Sequence, residues 1–205
     1  MPGRKAPEEQ RRHDILRAAF AVAARSGLAG VTARSVATEA RISSGLVFFY
    51  FKTIDALLIA LLDWLLERTI VAGEVRGLAV TIADPAERML AIVRRDIERL
   101  PRQRARVELF FDYWVLGTRN PAVRQTIRGA LDRYRDSLLV IAQHVVESAP
   151  QRFAGVTPLG LAGVVAGFIE GCALQAVMDP SRFDVEQYMA TLGALVAHPV
   201  PTHVS

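Results

Sequence analysis

Residues 32–52, TARSVATEARISSGLVFFYFK, carry two helix starts close together. Thr32 is an N-cap residue ahead of a short run through Ala40, and Ser43 is a second one ahead of a run through about Tyr50. Only Arg41 and Ile42 lie between the two segments, so the connection is a tight turn. Two short helices joined in this way make a helix-turn-helix. Ser43, Ser44 and Gly45 stand where the second helix begins. Backbone N–H groups and hydroxyls at such a start can seat on a phosphate, and Gly45 permits close backbone approach.

Upstream, Arg12 to Arg25 places Ile15, Ala18, Ala19 and Val22 at helical spacing and stops at Gly27, a natural residue for a helix C-terminus. Downstream, Thr53 caps a longer helix with Asp55 near the positive end of its dipole. Asp84-Pro85-Ala86-Glu87 sets an N-cap before a proline at the first helical position, with a glutamate able to reach back as a capping box. Asn120-Pro121 and Thr157-Pro158 repeat the signal, and Asp184 with Gln187 gives a weaker one. Apolar stripes such as Met89, Val93, Ile97 and Leu100 fill the intervals, whereas no stretch alternates as a half-buried strand does. Helices are therefore predicted near 54–76, 84–100, 102–118, 121–148, 158–178 and 184–197. The expected fold is all-α, with a three-helix helix-turn-helix domain over 1–53, a helical bundle over 54–198 and a flexible tail over 199–205.

The chain has 205 residues, 51% hydrophobic and 22% charged, a globular composition far from that of disordered chains. Cys172 is the only cysteine, which excludes an intrachain disulfide, a zinc ribbon and a redox pair and fits a reducing, cytoplasmic setting. Met1 to Ile54 holds nine basic and four acidic residues, a net +5, while the rest of the chain is close to neutral. That asymmetry fits a polyanion-binding module fused to a neutral body, and equally a solvated basic arm. Met1 to Glu9 has no apolar segment of a signal peptide. His13, His144, His198 and His203 lack metal-ligand spacing, and neither a Gly-x-Ser-x-Gly elbow nor a glycine-rich phosphate loop occurs. No catalytic residue, metal or cofactor is expected. Leu159 to Ile169 is an unbroken apolar run, but Glu170 and Gln175 interrupt it before the roughly 20 residues of a membrane span.

From Arg12 to Leu58 the residues resemble the tetracycline-repressor (TetR) family of bacterial regulators. The match runs through Ile15-Leu16-x-Ala18-Ala19, Gly27, Thr32, Val36-Ala37-x-x-Ala40, Ser43-x-Gly45-x-Val47-Phe48-x-Tyr50-Phe51-Lys52 and Leu57-Leu58. The resemblance implies contacts to operator DNA from Thr32, Ser43, Ser44, Gly45, Leu46, Phe48, Phe49, Tyr50 and Lys52, joined by Arg34 and Arg41. Leu46 and Phe49 are expected at base edges or thymine methyls, and Thr32, Tyr50 and Lys52 at phosphates. Three positions depart from the family pattern. Arg41 replaces a turn glycine, which costs about 1 kcal/mol if the residue is left-handed. Phe48 replaces a tyrosine, and Ile54 replaces a phosphate-binding lysine. Arg4, Lys5, Arg11 and Arg12 can compensate with phosphate or minor-groove contacts, or form a disordered arm.

The C-terminal region is similar to the branch of this family containing the repressor of the glycine-betaine pathway. Phe110-Phe111-x-Tyr113-Trp114, Asn120-Pro121, Phe168-Ile169-Glu170-Gly171, Met178-Asp179-Pro180 and Phe183 carry that similarity. It implies a small-molecule effector held in the bundle and a homodimer formed by the last two helices. Trp64, Met89, Phe110, Phe111, Tyr113, Trp114, Phe168 and Cys172 are the candidate ligand contacts, although pockets and cores share this apolar vocabulary. Glu108 and Asp112 would suit a cationic ligand or pair with Arg104 or Arg106. Gly163, Gly167 and Gly171 form a stripe four residues apart on the helix predicted over 158–178. Each costs roughly 1 kcal/mol relative to alanine, so a helix packs closely there: a dimer partner, or the helix over 121–148 of the same subunit. The expected function is a repressor released from a palindromic operator by a small molecule. The alternatives are an architectural DNA-binding protein and a helical small-molecule carrier.

Overall fold

The structure, a computed structural model, describes residues 8–67 and 82–197. All regular structure among the described residues is helical: α1 (Glu8–Ser26), α2 (Ala33–Ala40), α3 (Ser44–Phe51), α4 (Ile54–Glu67), α5 (Pro85–Arg99), α6 (Arg104–Gly117), α7 (Pro121–Ser148), α8 (Pro158–Met178) and α9 (Val185–Ala197). Single 3-10 turns cover Leu28–Gly30 and Pro101–Gln103. Arg4, Lys5, the expected continuation of α4 to 76, His198, His203 and the tail over 199–205 lie outside the described residues.

The N-caps expected from sequence are made, but among the described residues Glu87 does not reach back to complete the capping box expected at Asp84. Thr32 Oγ1 accepts from Ser35 N at 3.0 Å while Thr32 N donates to Ser35 Oγ at 2.9 Å, a complete capping box. Ser43 Oγ accepts from Leu46 N, Thr53 Oγ1 from Ala56 N, Asp84 Oδ1 from Glu87 N and Thr157 Oγ1 from Gly160 N. Asn120 Oδ1 serves Ala122 N and Val123 N, and Asp184 Oδ1 serves Glu186 N and Gln187 N. Helix α1 starts at Glu8, four residues before the expected start at Arg12, because Glu8 and Glu9 favour a first turn without contributing to the buried face. It ends at Gly27, whose φ of 66° suits glycine. Gly30 answers a different need, since a Cβ there would stand 2.4 Å from Ser26 Cβ.

The chain divides into two compact units, Met1–Thr69 with Glu108–Gly129, and Ile70–Val107 with Ala130–Ser205. This partition differs from the boundary drawn at 53/54. In the first unit α1 packs on α2 and α4, and α3 packs on α2 and α4. Leu57, Leu61 and Leu62 are fully buried, so α4 belongs to the core under the helix-turn-helix. Tyr113, also fully buried, donates its hydroxyl to the Leu58 carbonyl at 2.7 Å and ties α6 to α4. Burial raises its phenol well above the ordinary value. Arg124 donates from Nε to the Gly117 carbonyl at 2.9 Å and from Nη2 to that of Thr118 at 2.6 Å, closing the end of α6.

In the second unit α5 packs on α8 and α9 around a core that includes Met89, Val93, Ile97, Leu138, Ile141, Val145, Ala162 and Val165. Tyr134 donates to Asp96 Oδ2 at 2.8 Å, joining α7 to α5, and Arg94 pairs with Glu186 across α5 and α9. Helix α8 is long and apolar enough to cross a membrane by length and composition alone. Within this unit, however, it turns Ala162, Val165, Ala166, Ile169, Cys172, Ala176 and Val177 inward as an ordinary core helix does.

Glu170, on α8, has its carboxyl held above the usual range by burial, an effect Arg135 partly offsets. The folded state therefore binds this proton more tightly than the unfolded state. Stability falls as pH rises from the unfolded carboxyl value through the raised folded one, and the ionised form above that range is the less stable. Glu170→Gln is expected to raise the thermal midpoint at pH 7 and to flatten its decline above the ordinary carboxyl range. Melting curves by circular dichroism check this, and an equal or lower midpoint at pH 7 would refute it.

Candidate nucleic-acid interface

Helix α3 has one face in the protein and one in solvent. Val47 and Phe51 are buried, whereas Phe48 and Phe49 are 44% and 62% exposed. Ser44, Leu46 and Tyr50 are half-buried, and Gly45 and Lys52 are exposed. The Phe49 and Tyr50 rings meet edge to face, with centroids 5.3 Å apart. Lys52 Nζ donates to the Phe49 carbonyl at 2.9 Å and lies 5.2 Å from the centre of the Phe49 ring. Leaving two phenylalanines in water gains the fold nothing, so their display makes sense as a contact surface. A Cβ at Gly45 would meet only Ser43 Oγ, at 3.9 Å. The protein's own packing thus leaves room for a side chain there, in keeping with a role in close approach by a ligand.

A positive-φ residue that is a cation rather than a glycine stands in the turn before α3, at Arg41, and another directly after it, at Lys52. Arg41 is left-handed at φ 55° and ψ 48°. Arg41 N donates to the Thr38 carbonyl at 3.2 Å and Ile42 N to that of Ala37 at 2.9 Å, the paired bonds of a Schellman motif with arginine in the usual glycine position. Lys52, at φ 58° and ψ −47°, is the centre of a γ-turn in which Thr53 N donates to the Phe51 carbonyl at 2.5 Å. Such conformations cost roughly 1–2 kcal/mol for a residue with a Cβ. Thr32 and Arg34 stand exposed at the start of α2. All eleven residues expected to touch DNA therefore lie on α2, α3 or their flanking turns.

The candidate ligand contacts fall into two groups. Trp64, Phe110, Phe111, Tyr113 and Trp114 belong to the first unit and Met89, Phe168 and Cys172 to the second. Trp64 is buried, its ring 5.9 Å from that of His13 and 5.7 Å from that of Phe20. Phe110 lies 6.1 Å from Phe111 and 5.9 Å from Trp114, which is 40% exposed. Met89 and Cys172 are residues of the second unit's core, and Phe168 is partly buried against that core. Burial pushes the Cys172 thiol up to about 11, which keeps it a packing group rather than a thiolate. A Cβ at Gly163, Gly167 or Gly171 would meet nothing within 4 Å. The stripe therefore does not pack against α7 of the same chain.

A basic groove was not legible in the sequence pattern. Arg11 and Arg17 of α1 line it together with Arg41, and their positions are too far apart along the chain for local spacing to reveal the grouping.

An all-α chain with a capped helix-turn-helix, an outward aromatic face on its second helix and a separate helical core has the architecture of a DNA-binding transcriptional regulator. Residues 15–61 match the model of the tetR family of bacterial regulatory proteins, and residues 85–200 match that of the BetI-type transcriptional repressor C-terminal region. The chain belongs to the TetR family, with a BetI-type C-terminal region. It is 28% identical over 171 residues to an HTH-type transcriptional regulator in the dhlA 5′ region of Xanthobacter autotrophicus, covering 83% of this chain and 81% of the relative. It is also 28% identical over 178 residues to the HTH-type transcriptional regulator BetI of Paraburkholderia phymatum, covering 87% of each. A transcriptional regulator of Saccharomonospora viridis, solved in complex with choline, superposes with a TM-score of 0.74 at 20% identity, covering 94% of this chain and 98% of the other. The protein is accordingly a DNA-binding transcriptional repressor, in a family of transcriptional regulators.

Proposed function

We propose that the protein is a cytoplasmic homodimeric repressor that seats two copies of α3 in successive major grooves of a palindromic operator and leaves it when a small molecule binds its helical body. The outward face of α3 carries this reading: exposed Phe48 and Phe49 beside capped helix starts and cations. Leu46 and Phe49 read base edges or thymine methyls, while Thr32, Arg34, Ser43, Ser44, Tyr50 and Lys52 hold phosphates. A two-fold dimer sets the two α3 helices about 34–36 Å apart.

Support for the dimer comes from α8. Gly163, Gly167 and Gly171 share an open face with Val164, Leu174 and Met178, which are 69%, 44% and 70% exposed. A second copy would bury that face, and the glycines would allow the backbones to approach closely. The effector contacts are sought among Trp64, Phe110, Phe111, Tyr113 and Trp114 in one unit and Met89, Phe168 and Cys172 in the other. Choline in the Saccharomonospora viridis regulator makes a quaternary amine the first ligand to try. A coupling of about 1–3 kcal/mol between effector and operator suffices, and DNA must weaken the effector by the same factor.

Gly167→Leu tests the dimer without disturbing the subunit, since a side chain there meets nothing within the chain. Light scattering is expected to show half the parent's mass, and footprinting on DNA upstream of the gene to lose the paired protection of two half-sites. An unchanged dimer would sink the assignment of this face.

A further inference from the structure

Arg41 holds a left-handed backbone position that glycine would occupy without steric cost. Its guanidinium has no ion pair or side-chain hydrogen bond among the described residues, and neither has that of Arg11 or Arg17. The three arginines line one open groove of about 410 Å³ between α1 and the turn joining α2 to α3. Asp14 and Glu39 line it too, but both are engaged by residues that do not line it. Asp14 Oδ1 accepts from Gln10 Nε2 at 3.0 Å, and Glu39 pairs with Arg25 at 2.8 Å. The groove thus presents three cations without ion pairs against one carboxylate, Asp14, whose charge the neutral Gln10 amide does not cancel, a net positive lining suited to an anion with several acceptor oxygens. It lies beside the turn that leads within two residues to Ser43, the cap of α3. When the second helix of a helix-turn-helix enters the major groove, the first helix crosses the sugar–phosphate backbone, and Arg41 is the C-cap of that first helix, α2.

We propose that this groove binds a backbone phosphate of the operator outside the bases that α3 reads, with Arg41 and Arg17 as its cationic walls. The proposal rests on the operator-reading role of α3. It gives the strained arginine a function that glycine, with its easier backbone, cannot perform. A phosphate clamp of this kind adds affinity for any sequence and leaves discrimination to α3.

The test is fluorescence anisotropy of Arg17→Gln, Arg41→Gln and the double variant on DNA upstream of the gene and on scrambled DNA, across a salt series. Each substitution is expected to weaken binding about fivefold at about 0.15 M salt and to reduce the log–log salt slope by about 0.9. Both DNAs should be affected alike, so the selectivity ratio holds. Arg41→Gly is expected to raise the melting temperature while lowering DNA affinity, an opposition of signs that a structural arginine would not produce. Unchanged affinity and slope in the double variant, with the parent still selective, overturn the groove assignment and leave the role of α3 intact. A parent without selective binding overturns both. Inorganic phosphate that binds the parent but not the double variant, with DNA affinity unchanged, assigns the groove to a free anion and overturns the proposal.

Discussion

Replacing Phe49 with alanine is expected to weaken selective DNA binding by about thirtyfold, corresponding to about 2 kcal/mol, while the protein melts where the parent does. The ring is 62% exposed, so its removal leaves no cavity. Its neighbours in α3, Val47 and Phe51, face inward and continue to anchor the helix. The ring meets the edge of the half-buried Tyr50 and the Lys52 ammonium and stands mostly in solvent, so its truncation costs the fold little. What disappears is apolar area able to cover a thymine methyl or a base edge. Binding to scrambled DNA, which depends on phosphate contacts, should change far less. Anisotropy on both DNAs, with melting followed by circular dichroism, checks the result. Equal losses on the two DNAs would move Phe49 from the reading face to the backbone contacts, and a lowered melting temperature would make it a packing residue.

Leu61→Ala is expected to give the largest loss of stability, about 3 kcal/mol, or roughly 10 °C in the melting temperature. Leu61 is fully buried on α4 along with Leu57 and Leu62, in the unit where α4 packs on α1 and α3. A truncation there removes apolar contact and leaves a hole that short, capped helices cannot close without losing their register. Leu61→Met, which nearly conserves volume, should cost less than about 1.5 kcal/mol. Calorimetry of the two variants separates packing from helix propensity. If both fell by the same small amount, α4 would not be part of this core. The consequence reaches function because the same core supports α3 from behind, so a softened α4 blurs the position of the reading helix.

Local signals were the legible ones. Thr32, Ser43, Thr53, Asp84, Asn120, Thr157 and Asp184 announce their helices because a cap acts within three residues of itself. The outward residues of α3 were legible through the resemblance to the TetR family and not through spacing, because Leu46, Val47, Phe48, Phe49, Tyr50 and Phe51 make the helix apolar on every side. Long-range facts left no such trace. The bond from Tyr113 to the Leu58 carbonyl joins residues 55 positions apart, and with the burial of Leu57 and Leu61 it draws part of α6 into the first unit. That is why a boundary at 53/54 looks natural from the pattern and yet cuts through a packed core. The grouping of Arg17 with Arg41 is of the same kind, visible only once α1 lies against the turn. The glycine stripe on α8 could be recognised from spacing, but which surface it meets could not, since spacing fixes a face and not its neighbour. Aromatic and sulfur side chains could not be sorted into pocket and core by type, because both environments favour the same chemistry.

The most direct test is fluorescence anisotropy of the purified protein on DNA upstream of its own gene against scrambled DNA of equal length, at two salt concentrations. The predicted result is selective binding, at least about a thousandfold tighter on the upstream DNA, that weakens on both DNAs as salt rises. Equal weak binding to the two DNAs, or none at low salt, would contradict the assignment of α3 as a sequence-reading helix.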